Sequence, residues 1–86
     1  MKIYKYEFEV VDELTIAMPR GARVLSVDVQ RGAPCMWALV DPDELPLNRK
    51  FAVYGTGHPM DQVGEFVGTF QMAGGLLVFH LFEVEC

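Results

Sequence analysis

The densest run of potentially reactive side chains in this 86-residue sequence is Tyr54-Gly55-Thr56-Gly57-His58-Pro59. Two glycines in a loop expose backbone amides, and such amides can cradle a phosphate or another anion. The dinucleotide and P-loop cradles also need a following helix whose first amides face the anion, with further glycines or a lysine. Here Pro59 removes one amide and no Gly-Lys pair follows. The preferred reading is structural: Gly55 and Gly57 let a strand end and the chain bend sharply, with Thr56 or His58 satisfying local backbone groups. His58 beside a carboxylate such as Asp61 or Asp41 has the makings of a general base. No nucleophile stands at a matching spacing, and Ser26 and Cys35 sit on no glycine-flanked elbow. No catalytic residue is assigned.

A structural zinc needs about four closely spaced ligands, whereas Cys35, His58, His80 and Cys86 show no CxxC or HxxxH pattern. Neither a metal nor another cofactor is expected. His80 alternates with Val78 and Phe82, which reads as a core or interface histidine. Trp37 and the tyrosines Tyr4, Tyr6 and Tyr54 could stack on a base or a peptide side chain, although aromatic rows in a domain this small are more often core. If the loop is a binding site, it consists of Tyr54, Gly55, Thr56, Gly57 and His58, joined by Trp37, Arg49 and Lys50. Its ligand would be small and anionic or nucleotide-like, or a protein.

Those residues must be held by short strands. Turn signals recur every eight to twelve residues between alternating or apolar runs, the pattern of an all-β domain. In Lys2 to Val11, Tyr4, Tyr6, Phe8 and Val10 share one face, with Lys5, Glu7 and Glu9 on the other. Leu14 to Met18 stops at Pro19, which cannot donate to a ladder. In Arg23 to Gln30, alternation places Leu25, Val27 and Val29 inward. Cys35 to Val40 is apolar on both faces, as in a strand covered on both sides or lying at a subunit contact. Asp41 to Lys50 carries two prolines and no period, so it reads as the longest irregular loop. Strand five follows from Lys50 to Thr56.

Gly57 to Gly64 has room for one helical turn at most, with Pro59 at its first position. Glu65 to Met72 puts Phe66, Gly68, Phe70 and Met72 on one face. Ala73-Gly74-Gly75 then turns the chain into Leu76 to Val84, closing the most clearly marked hairpin. The expectation is one domain over residues 1–86: all-β, about seven short, mostly antiparallel strands, a sandwich or a partly open barrel.

Composition sets the class. Apolar residues make up 51% and charged residues 22%, enough to build a core and unlike a disordered tail. So short a chain buries a small fraction of its surface, which makes self-association a natural source of extra stability. The net charge is −5 and the seven Lys and Arg are scattered, so the concentrated basic stripe of a nucleic-acid binder is missing. No apolar run is long enough to span a bilayer, and the N-terminal residues alternate where a signal peptide needs a continuous apolar block. A cytoplasmic protein is expected, with no nucleic-acid or membrane partner. Two cysteines are few for a disulfide-built secreted scaffold, so free thiols are expected, with Cys35 buried.

The stretches MPRGARVLSVDVQ, CMWALVDP, FAVYGTGHPM and VGTFQMAGGLLVFHLFE, in that order, resemble a family of small uncharacterised proteins encoded by bacteriophages and prophages. YGTGHPM is the most specific of these. The resemblance implies an all-β fold and a phage-related origin, and assigns no catalytic residue. Two functions fit it. One is a non-enzymatic, homo-oligomeric binding protein that holds a small ligand or a host protein near Tyr54 to His58. The other is a structural or accessory phage protein that packs its apolar faces within an assembly and needs no small molecule.

Overall fold

A computed structural model describes residues 1–84. Seven strands, all paired antiparallel, form two sheets that do not close into a barrel. They are β1 (Lys2–Glu7), β2 (Glu13–Pro19), β3 (Arg23–Gln30), β4 (Ala33–Val40), β5 (Pro46–Gly55), β6 (Glu65–Met72) and β7 (Leu77–Val84). One sheet has the order β1-β4-β3 and the other β2-β5-β7-β6. The chain crosses from the first to the second after β1: Phe8 still donates its amide to the Pro34 carbonyl at 3.0 Å, and Asp12 already accepts from the Val53 amide.

The core lies between the sheets. Met36, Ala38 and Val40 of β4 face Met18, Phe51, Val53, Phe70 and Leu81 of the other sheet, and Phe8 closes one end. The Phe8 ring meets Phe70 edge to face at 5.9 Å. The two sheets come closest where β3 meets β6. A Cβ built on Gly68 would stand 2.8 Å from the Val27 methyl, so a side-chain-free position is what allows this approach.

Each of these two strands carries a bulge, and the bulges correct two expected faces. The register of β3 slips between Val24 and Ser26, so Val24 turns to the core and Leu25 is left exposed rather than inward. The register of β6 slips between Phe66 and Gly68, so Val67 packs on the core while Phe66 is 56% exposed. An extra residue in one strand reverses the side-chain parity on one side of it.

Several element boundaries also differ from the sequence reading. β1 ends at Glu7 because the chain leaves for the second sheet. β5 begins at Pro46, not Lys50, so half of the expected irregular loop is strand: Pro46, Leu47, Asn48 and Arg49 pair with Pro19, Met18, Ala17 and Ile16 of β2. Two prolines opposite each other at the end of a ladder cost few hydrogen bonds, and this hides the strand from a reading based on proline content. No helical turn forms between Gly57 and Gly64, and the one 3₁₀ turn among the described residues is Ala73–Gly75 in the β6–β7 hairpin. The β3–β4 hairpin turns on Arg31 and Gly32, both at positive φ (53° and 80°), as a two-residue type I′ loop requires.

Candidate functional site

The Tyr54–His58 segment leaves the end of β5 as a tight turn. The His58 amide donates to the Gly55 carbonyl at 3.0 Å, and Gly57 takes a φ of 85°, the left-handed value a type II turn needs at its third residue. The His58 ring folds back over Gly55, so that a Cβ there would stand 2.8 Å from the imidazole Nδ1. The glycines of this stretch thus serve the turn and the packing of His58.

Two anchors hold the turn. The Thr56 amide donates to the Val78 carbonyl at 3.1 Å, and the Thr56 hydroxyl meets His80 Nε2 at 2.8 Å. The other nitrogen of His80 meets the Thr69 hydroxyl at 2.9 Å, so the ring is fixed between two threonines on the outer face of β7. On the far side, the Tyr54 hydroxyl donates to the Gln62 carbonyl and accepts from the Gln62 amide, both at 3.0 Å. One phenol therefore satisfies both backbone groups of a residue with no secondary structure of its own.

This clamp gives the chain between Tyr54 and Gln62 a fixed shape, and beside it lies a cleft of about 540 Å³. Val10, Val11, Asp12 and Glu13 form one wall, and Tyr54, Gly55, His58, Pro59, Asp61 and Gln62 the other. Val53 and Phe79 reach it from the core. The Gln62 side-chain amide donates to Glu13, tying the two walls together. Three carboxylates and one imidazole are its ionisable groups besides the phenol. Such a lining attracts a cationic group and repels an anion.

The residues singled out from the sequence divide among three places. Tyr54, Gly55 and His58 line the cleft, and Thr56 and Gly57 complete the turn behind it. Arg49 does not join them. It lies on the inner side of β5 with its side chain 17% exposed, and its guanidinium grips Glu83 of β7 through Nε (2.5 Å) and Nη2 (2.9 Å) while Nη1 donates to the Ala22 carbonyl at 2.7 Å. The hydrogen bonds to Glu83 hold its pKa above the ordinary arginine value; burial opposes this, and the charges of Glu83 and Glu65 add to it. Each nitrogen of this guanidinium donates one hydrogen bond, and together they join β5, β7 and the β2–β3 corner.

Lys50 is exposed and shares the outer face of its sheet with Tyr54, four residues further along β5. Trp37 belongs to the other sheet, opposite Lys5 of β1 and Ser26 of β3. The sequence reading missed Val10 to Glu13, Asp61 and Gln62. Asp61 appeared only as a partner for His58, and nothing in sequence spacing brings the β1–β2 crossover beside the loop.

Cys35 is buried, as expected, and Cys86 lies outside the described residues. Among the described residues no three His, Cys, Asp or Glu side chains cluster as a metal site, and no helix is long and apolar enough to cross a membrane.

A small two-sheet β protein with a clamped loop beside a crossover defines an architecture and leaves its activity open. Within that class, the chain belongs to the family described as Domain of unknown function (DUF7352), which it matches over residues 1–86. No curated protein and no solved structure matches it.

Proposed function

We propose that this chain is a non-enzymatic binding protein of phage or prophage origin, acting in the cytoplasm of the bacterial host, and that its site is the cleft between the β1–β2 crossover and the Tyr54–Gln62 loop. The observation that carries the reading is the cleft itself, about 540 Å³, with apolar contributions from both walls and the Asp12, Glu13 and Asp61 carboxylates around them. A volume of this order suits a small molecule or one or two side chains of a partner protein. The carboxylates favour a positively charged group over the anionic or nucleotide-like ligand that the loop glycines bring to mind. A lysine or arginine side chain of a host protein has the required charge and an apolar stem.

A direct test is an NMR titration of the ¹⁵N-labelled protein with acetyl-arginine amide and, separately, with adenosine monophosphate. The reading expects shifts of the Asp12, Glu13, Tyr54 and Asp61 amides with the first compound, needing several-fold more of it to saturate in Asp61→Asn. Shifts only with the nucleotide would reverse the ligand class, and shifts with neither, together with no ligand retained in native mass spectrometry, would favour the second reading.

That second reading is a structural or accessory phage protein. It is supported by the aromatic row on the outer face of β5, β7 and β6, where Tyr54 and Phe66 both meet Phe82 edge to face at 6.1 and 5.4 Å and Phe66 is more than half exposed. Such a row suits packing against another protein.

A further inference from the structure

The two sheets have four outer strands, and three are protected against pairing with another chain. β3 and β6 each carry a bulge and pack against each other. β2 ends in Pro19. The Val53 amide bonds to the Asp12 carbonyl, so in β2 the even residues bond to β5 while Glu13, Thr15, Ala17 and Pro19 turn their backbone outward; the missing amide of Pro19 falls in that outward set. β1 has no proline and no bulge, and its pairing with β4 is unbroken. A free edge of this kind is a template for another strand, and natural sheets usually guard it, often with lysine. Here Lys5 is drawn back across β4, where its ammonium donates to Gln30 of β3 at 2.8 Å.

We infer that β1 is the surface on which two copies of this chain associate, their β1 strands pairing antiparallel with Tyr4 opposite Tyr4 of the second copy. The Phe8 amide bonds to Pro34, so the even residues of β1 bond to β4 and Ile3, Lys5 and Glu7 present free amides and carbonyls outward. A two-fold axis perpendicular to the sheet keeps both inner faces on one side and makes residues of equal parity face each other. Two such registers overlap five residues of the strand. The one centred on Lys5 sets Lys5 against its own copy, a like-charge pair that opposes association.

The register centred on Tyr4 has no like charges opposed. Ile3 exchanges backbone hydrogen bonds with Lys5 of the second copy, and Lys2 stands opposite a Tyr6 ring, a favourable cation and aromatic pair. Tyr4, 36% exposed and already edge to face with Tyr6 at 6.4 Å, is covered by its own counterpart. The result is a continuous six-stranded sheet, β3-β4-β1-β1-β4-β3. This places the self-association expected from the sequence on one strand, and it stands independently of the cleft, which the pairing does not use.

The test is sedimentation equilibrium on the wild-type chain and on Tyr4→Lys and Tyr4→Glu. The inference expects twice 9.7 kDa for the wild type, a monomer for each variant, and return of the dimer when the two variants are mixed in equal amounts, with circular dichroism showing the same fold throughout. A monomeric wild type would overturn it and leave the edge free for a foreign strand. Variants that stay dimeric, or a mixture that stays monomeric, would overturn the register. Hydrogen exchange on the wild type gives a check free of substitutions: the Ile3 and Lys5 amides should gain protection as protein concentration rises. A dimer with an empty cleft would sink the ligand reading alone; a liganded monomer would sink this inference alone.

Discussion

Replacing Arg49 by methionine separates a binding role from a structural one. Methionine keeps much of the stem's packing and deletes three hydrogen bonds, two to the Glu83 carboxylate and one to the Ala22 carbonyl. A hydrogen bond to a charged group contributes about 1.5–3 kcal/mol, and breaking a buried pair from one side costs roughly 3–5 kcal/mol, whereas exposed pairs contribute about 0–1. At 17% and 24% exposure the two side chains lie between these limits. Water can reach part of the orphaned carboxylate, so a loss of about 2–3 kcal/mol follows. In a domain of this size that lowers the melting temperature by roughly 10–20 °C. The assay is urea denaturation of Arg49→Met, Glu83→Gln and the double variant. The double variant should recover a good part of the loss, because no charge is then left unpaired. A loss under about 0.5 kcal/mol, in the range of an ordinary surface substitution, would refute the clip between β5, β7 and the β2–β3 corner.

Three further outcomes follow from the same geometry. Gly64→Ala drives a Cβ into the Glu83 carbonyl oxygen, so the residues leading into β6 must move away from β7, and urea denaturation should show a loss of roughly 1–3 kcal/mol, as for overpacking. Tyr54→Phe removes both hydrogen bonds to Gln62 and should cost about 1–2 kcal/mol while raising hydrogen exchange at Gln62; unchanged exchange would mean the loop holds itself. Burial first, and the neighbouring Tyr4 second, raise the Tyr6 phenol above its ordinary value of 10.0. The folded chain then holds that proton more tightly than the unfolded one, so its contribution is complete below pH 10 and is lost as pH rises through the elevated value. Denaturation midpoints measured from pH 8 to 11 should fall less steeply in Tyr6→Phe than in the wild type, and parallel curves would contradict this.

The fold was legible where period-two patterning is unbroken. Cys35 to Val40 and the β6–β7 hairpin were recognisable because burial on one or both faces leaves a mark on every second residue. The bulges at Leu25 and Val67 erased that mark, since a reading by parity carries the wrong face past an inserted residue. The strand Pro46 to Arg49 was hidden by its own prolines. Half of the candidate site was legible as well: the turn at Gly55 to His58 shows in its glycines. The other half depends on contacts across the sequence. Glu83 captures Arg49 from 34 residues away, and Glu13 meets Gln62 from 49 residues away, so neither pairing leaves a local trace.

The central claim, a cleft that accepts a cationic group, is tested most directly by isothermal titration of acetyl-arginine amide into the wild type and into Asp61→Asn. The account predicts saturable binding to the wild type that weakens with salt and drops several-fold in the variant, because one of three carboxylates is gone while the Tyr54 clamp is untouched. Equal binding to both proteins, or none to the wild type, would contradict it.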